Sequence, residues 1–230
     1  MHVTDLPDKS QDYLKAIFDL QEWGEAAISL GRIADRLGQR NSTTSEAIKR
    51  LAAKGLVDHS PYAAIRLTEL GRELALQMVR RHRLIETYLF QDLGYQLDEL
   101  HEEAEILEHA VSDKFIERIA TRLGHPTRDP HGDPIPDASG EFHVPQVFSL
   151  VDATPGQNFT IDRISDRDPE LLRYLQSKGA MPEATVEVME RPYPDLAELR
   201  ILHSSGEGTL VQLPLTSLDS VLCREASNEQ

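Results

Sequence analysis

Ser29-Leu-Gly-Arg-Ile-Ala-Asp-Arg-Leu-Gly38, followed after a brief gap by Ser42-Thr-Thr-Ser-Glu-Ala-Ile-Lys-Arg-Leu-Ala-Ala-Lys-Gly55, is the stretch that decides the fold. Ser29 is placed to cap a helix whose Leu30, Ile33, Ala34 and Leu37 recur at helical spacing, and Gly38 stops it. Thr43 and Glu46 stand at capping-box spacing before Ala47, Ile48 and Leu51, and Gly55 ends the second helix. A longer helix from about Ser10 to Trp23 precedes both, with Tyr13, Leu14, Ile17 and Phe18 inward. Two short helices joined by a polar turn after a longer one predict a helix-turn-helix.

Downstream, Leu56–His59 and Ala64–Leu67 flank a turn at Ser60-Pro-Tyr-Ala63 and read as a small hairpin, the wing of a winged helix-turn-helix. The second helix would then lie in a DNA major groove. Ser42, Thr43, Thr44, Ser45 and Glu46 are its candidate base or phosphate contacts, and Arg40, Lys49, Arg50, Lys54 and Arg66 its candidate phosphate contacts. The net charge of −15 argues against nucleic acid only until its distribution is read. Residues 1–72 hold ten basic and ten acidic side chains, so the whole excess of acid belongs to the rest of the chain.

Thr68 predicts the cap of a long helix to about Leu93, which presents His82 and Glu86 one turn apart. Asp98 predicts the cap of the next, drawn as continuous to about Leu123. It carries His101-Glu-Glu-Ala-Glu-Ile-Leu-Glu-His109, in which His101, Glu105 and Glu108 share a stripe and His109 lies beside Glu105. Imidazoles and carboxylates so arranged suit a divalent transition metal. The plainer reading of such a run is a solvated acidic face.

Residues 125–145 are rich in Pro, Gly, Asp and His and read as an irregular connector. Beyond it, short alternating runs at Val147–Val151, Asn158–Ile164, Thr185–Arg191, Glu198–His203, Thr209–Pro214 and Val221–Arg224 surround one helix at about Pro169–Lys178. Gly206-Glu-Gly208 marks one of the turns, and the whole predicts a small barrel. The fold class expected is mainly α with a small β part. Its divisions are a DNA-binding domain at 1–72, a helical dimerisation and metal-binding domain at 73–140, a linker at 141–155 and a barrel at 156–226. A single cysteine, Cys223, excludes an intrachain disulfide and a thiolate cluster. No apolar run approaches a membrane span, which points to the cytoplasm and away from a membrane partner.

The winged helix, the His82-Arg-Leu-Ile-Glu86 step, the His101…Glu105…Glu108-His109 helix and the segment Pro130-His-Gly-Asp-Pro-Ile-Pro136 together resemble the metal-dependent repressors of the DtxR/MntR family. The last domain is similar to that family's SH3-like, FeoA-type barrel. The resemblance implies a homodimeric transcriptional repressor acting on a pseudo-palindromic operator in double-stranded DNA. It implies a primary metal site at Asp12, Glu105, Glu108 and His109, and an ancillary site at His82, Glu86 and His101 completed by Asp168 and Glu170. Asp12 and Glu105 are carboxylates where iron-responsive members carry sulfur, which favours Mn²⁺ with Fe²⁺ as its competitor. Lys15 departs from those manganese regulators that place a second glutamate one turn after the aspartate, and it argues against a paired-metal site.

Two other readings stand beside this one. A winged-helix regulator answering an organic ligand or a protein partner would leave His82, Glu86, His101 and His109 without a role. A non-heme metalloenzyme would need a matching Glu-Xaa-Xaa-His on another helix or a nucleophile–base pair, and neither is found, so the chain is read as no enzyme.

Overall fold

The computed structural model of the protein describes residues 1–24, 27–60, 63–141, 143, 146–203 and 208–226. They fall into two compact units, Met1–His82 with Leu107–Asp113 and Pro136–Phe142, and Arg83–Ile106 with Lys114–Ile135 and His143–Gln230. No helix among the described residues is long and apolar enough to cross a membrane.

The first unit holds α1 (Asp8–Glu22), α2 (Leu30–Arg36), α3 (Asn41–Ala53), β1 (Val57–Asp58), β2 (Arg66–Leu67) and the start of α4 (Glu69–Leu93). Leu14, Ile17, Phe18, Ile33, Ile48 and Leu56 close its core. Ser29 caps α2 as expected, its hydroxyl accepting from Arg32 N. The α3 helix differs from expectation. It starts at Asn41, after Arg40 and with no side-chain cap, so the Thr43–Glu46 capping box does not form. Glu46 pairs instead with Lys49 at 3.0 Å. Thr44 precedes Ala47, Ile48 and Leu51 by three, four and seven residues and shares their buried face.

β1 and β2 pair antiparallel, Val57 with Leu67 and Asp58 with Arg66, and Ile65 N donates to Ile28 O at 2.9 Å to add a third short rung. The wing's turn residues 61 and 62 lie outside the described residues. The wing then passes into α4 through a tight joint. Thr68 Oγ1 accepts from Gly71 N at 3.0 Å and donates to Gly55 O at 2.8 Å. A Cβ on Gly71 would stand 1.9 Å from Leu56 O, so only glycine lets the two backbones approach this closely.

The long helix expected over 98–123 is two helices, α5 (Leu97–Ala110) and α6 (Asp113–Arg122). Arg81 accounts for the break. Its Nε donates to Glu108 O at 3.0 Å, Nη2 to Val111 O, and Nη1 to Asp113 Oδ1 at 2.5 Å, so one guanidinium satisfies carbonyls that a continuing helix would have used. Asp98 is not the α5 cap either, because the helix starts one residue earlier. Glu99 Oε2 accepts from Gln96 N at 2.8 Å, and Asp98 pairs with Arg173 at 3.1 Å.

In the second unit the C-terminal strands form one antiparallel sheet in the order β3-β8-β4-β5-β6-β7. These are β3 (Phe148–Ser149), β4 (Asn158–Ile164), β5 (Thr185–Val188), β6 (Leu196–Leu202), β7 (Gly208–Pro214) and β8 (Val221–Glu225), with α7 (Pro169–Ser177) after β4. Alternate residues of β6 are buried (Ala197, Leu199, Ile201), as a sheet with one wet face requires. The expected turn at Gly206-Glu-Gly208 falls largely on residues 204–207, outside the described ones.

Residues 125–135 of the connector are irregular as expected but packed into this unit, and Pro136–Phe142 belong to the first. Asp129, His131 and Ile135 are buried, and Ile164 N donates to His131 O at 2.9 Å. Gly132, at φ +90°, comes so near β4 that a Cβ would meet Asp162 O at 2.0 Å. Arg128 completes the seam, each terminal nitrogen reaching an Asp162 carboxylate oxygen at 3.0 Å.

Candidate metal centre

Tyr13, Leu14, Ile17 and Phe18 commit one face of α1 to the core. The same helix turns Gln11, Asp12 and Lys15 toward the end of α5. Ligand atoms of Asp12, Glu108 and His109 all lie within 4.8 Å of one another. His109 Nε2 is 2.8 Å from Asp12 Oδ1 and 3.5 Å from Glu108 Oε1, while Nδ1 is 3.1 Å from Gln11 Oε1. That last contact orients the ring and leaves Nε2 toward the carboxylates.

Glu108 is fully buried and shared. Oε1 lies 2.5 Å from Lys15 Nζ, and Oε2 lies 2.5 Å from His82 Nδ1. Burial would raise its carboxyl, but the charges and hydrogen bonds of Lys15 and His82 outweigh burial and hold it down at about 2. His109 is shifted upward, first by its hydrogen bond to Asp12 and against its partial burial, with the charges of Glu108, Asp12 and Asp8 adding.

Asp12 Oδ1 is shielded from solvent and faces the His109 ring. An oriented imidazole, a buried carboxylate and a second carboxylate oxygen shielded from solvent fit a divalent cation, and their purely N/O chemistry suits Mn²⁺. Glu105 is one turn before His109 on α5, and its Oε1 is 3.7 Å from His101 Nε2.

The second unit has its own grouping. Ligand atoms of Glu86, His101 and Asp166 lie within 4.8 Å of one another, as do those of the buried trio Glu86, Asp129 and His131. His101 Nδ1 is 2.9 Å from Asp166 Oδ2, and His131 Nδ1 is 3.9 Å from Glu86 Oε2. Burial, with Asp133 and Glu86 close by, pushes Asp129 up to about 8. His131 is also raised, because the surrounding carboxylates, Glu86 foremost, outweigh its burial. Arg83 lies 3.8 Å from both Asp129 and Asp133, and the buried Glu86 carboxylate beside imidazole nitrogens suits a metal.

Asp168 and Glu170, the expected partners of His101, are not beside it. Asp168 Oδ1 accepts from Glu170 N and Leu171 N at 3.0 Å each and caps α7, while Glu170 is exposed. The carboxylate that meets His101 is Asp166, before the cap. His82, one turn before Glu86 on α4, also has its Nδ1 2.5 Å from Glu108 Oε2. Lys15, Asp129, His131 and Asp166 were therefore missed as members of these clusters. Only the Asp129-Pro-His131 spacing carried a signal, and it lay in a stretch read as a connector.

Arg40, just before α3, and Ser42, Thr43, Glu46, Lys49 and Arg50 on it are exposed, and Ser45 is half-buried. Thr44 is corrected: it is buried, its Oγ1 3.4 Å from Tyr13 OH, and it faces the core and not a ligand. Lys54 and Arg66 are exposed on the same unit.

The sequence matches the family described as the iron dependent repressor, N-terminal DNA binding domain, over residues 5–65. It matches the iron dependent repressor metal binding and dimerisation domain over 68–137 and the FeoA domain over 148–225. It is 34% identical to the diphtheria toxin repressor of Corynebacterium glutamicum over 190 residues, 80% of this chain and 82% of that one. It is 30% identical to the iron-dependent repressor IdeR of Mycobacterium tuberculosis over 203 residues, 83% and 87% of the two chains. Among solved structures it resembles a manganese-dependent transcriptional repressor in complex with manganese, at 44% identity and TM-score 0.88 over 94% of this chain and 100% of that one. The repressor ScaR with bound Zn²⁺ is similar at 32% identity and TM-score 0.78, over 94% and 99%. With its DNA-binding, metal-binding and dimerisation, and FeoA regions all matched, the chain belongs to the DtxR/IdeR family of metal-dependent transcriptional repressors, a family of DNA-binding proteins and not of enzymes.

Proposed function

We propose that this repressor is manganese-activated. Asp12, Glu108 and His109 hold its primary ion. A second position forms around Glu86 with His101 and Asp166, beside the buried Asp129 and His131. The observation that carries the reading is the convergence of Asp12 from α1 with Glu108 and His109 from α5. When bound, a divalent cation supplies the positive charge that two carboxylates on different helices need in order to share one position. Gln11 orients the His109 ring, and His82 holds the far oxygen of Glu108. The absence of sulfur from both groupings supports Mn²⁺, as does the similarity to a manganese-bound repressor. Fe²⁺ is the competing reading, because the curated relatives are named for iron.

The chain acts as a homodimer in the cytoplasm, with the divisions 1–72, 73–140 and 156–226 serving DNA, dimer and barrel. Ile106 and Phe115 supply the dimer face, at 67% and 46% exposed. Ile116 and Ile119 of α6 are buried within the chain itself. Two α3 helices would read the halves of a pseudo-palindromic operator about one DNA turn apart or a multiple of it. The test is DNA binding by metal-stripped protein titrated with Mn²⁺, Fe²⁺ and Zn²⁺. Binding that rises with Mn²⁺ supports the reading, Fe²⁺ acting at lower free concentration favours iron, and binding indifferent to all three overturns it.

A further inference from the structure

Thr44, Ala47, Ile48 and Leu51 fix which side of α3 faces the protein. At about 100° per residue, the line directly opposite them falls among Ser42, Glu46, Lys49 and Ala53, all of them exposed. These side chains project furthest into a groove when the helix docks with its buried side toward the protein. Glu46 is the single acid of α3, and it stands on that outermost line with its side chain 62% exposed. Its Oε1 lies 3.0 Å from Lys49 Nζ, whose hydrogen bond and charge hold the carboxyl below its ordinary value. A negative charge set foremost on a helix that meets phosphates opposes binding, unless a base offers it a hydrogen bond.

An ionised carboxylate only accepts hydrogen bonds. The major groove offers it two donors, the N4 amino group of cytosine and the N6 amino group of adenine. In an A·T pair the amino group lies between two acceptors, adenine N7 and thymine O4, and both repel a carboxylate. In a G·C pair the cytosine amino group has an acceptor on one side alone, guanine O6. We propose that Glu46 is a specificity-determining residue of α3 and reads cytosine, accepting from its N4 amino group at one position in each operator half. On docking, Lys49 leaves Glu46 for a phosphate, and the freed carboxylate turns to the amino group. Guanine and thymine present acceptors and no amino donor in this groove, so the same charge rejects them. The inference rests on the reading of α3 as the helix that reads the operator.

The experiment selects binding sites from randomised duplex DNA with the full-length chain, in the presence and in the absence of Mn²⁺. Kd is then measured on the enriched duplex and on duplexes with single base pairs replaced, and circular dichroism checks the fold of each variant. The parent should enrich one C·G pair per half-site, and replacing that pair should weaken binding on the order of tenfold. In Glu46→Ala that discrimination should vanish while the rest of the enriched site stays the same. Glu46→Gln carries an amide that both donates and accepts, matching adenine N7 and N6, and should move the preference at the same pair to A·T. Parental base preference in both folded variants overturns the role of Glu46. So does an equal gain of affinity for every sequence in Glu46→Ala, because the acid would then only repel. A parent that enriches no sequence under either condition sinks the operator reading itself. A parent with a defined site, no position of which answers to Glu46, sinks this inference alone.

Discussion

The carboxylate of Asp12 on α1 and the imidazole of His109 near the end of α5 stand 2.8 Å apart. This pair joins the first helix of the DNA-binding head to the helix that bears the metal grouping. Asp12→Ala removes the α1 share of that junction. It should lower Mn²⁺-activated operator binding by roughly 5- to 150-fold, the span of an ordinary coupling free energy, and leave the dimer intact by light scattering. Unchanged affinity at limiting Mn²⁺ would exclude Asp12 from the centre.

His109 gives the pH dependence. Its folded value lies above the ordinary 6.5, chiefly through the Asp12 hydrogen bond. In the metal-free chain the charged ring's contribution to stability is complete below that ordinary value and fades as pH climbs through the raised one. A cation needs the ring's lone pair, so Mn²⁺ must displace the proton. Apparent Mn²⁺ affinity should rise with pH across the same window. Calorimetry in buffers of different ionisation heat should register a released proton, and an enthalpy independent of buffer would contradict this.

Lys49 and Arg50 present their charges from the exposed side of α3. The Lys49–Glu46 pair is mostly solvated, so it contributes little and yields readily to a phosphate. Changing Lys49 and Arg50 to Ala should weaken binding to all sequences alike. The slope of log K against log salt should flatten by about 2, from two lost phosphate contacts. A slope equal to the parent's would move the DNA face elsewhere.

Ile106 and Phe115 leave apolar surface in water that a second copy would cover. Ile106→Lys with Phe115→Lys should shift the dimer toward monomer in sedimentation at micromolar concentration without lowering the helix content. A dimer unaffected by both charges would place the interface on another surface.

What was legible in the sequence was whatever local chemistry dictates. Ser29 capping α2, Thr68 capping α4 and the alternation along β6 depend on residues a few positions apart. What was not legible depends on groups far along the chain. The break between α5 and α6 is set by Arg81, from another helix. Thr44 faces Tyr13, which comes from another helix. Asp166 and Asp168 look equivalent as letters. Only the fold gives one to His101 and spends the other on capping α7. The Asp129-Pro-His131 segment has the composition of a loop, and packing against β4 makes it part of the interior.

The joint at Gly71 has a mechanical consequence. Leu56 O fills the space a side chain would take, and Thr68 fastens the end of α3 to the first turn of α4. Wing, reading helix and the opening turns of α4 are thus welded and not hinged. Whatever force rotates one must carry the others as a single lever, so the compliance that switching demands has to reside in some other part of the chain.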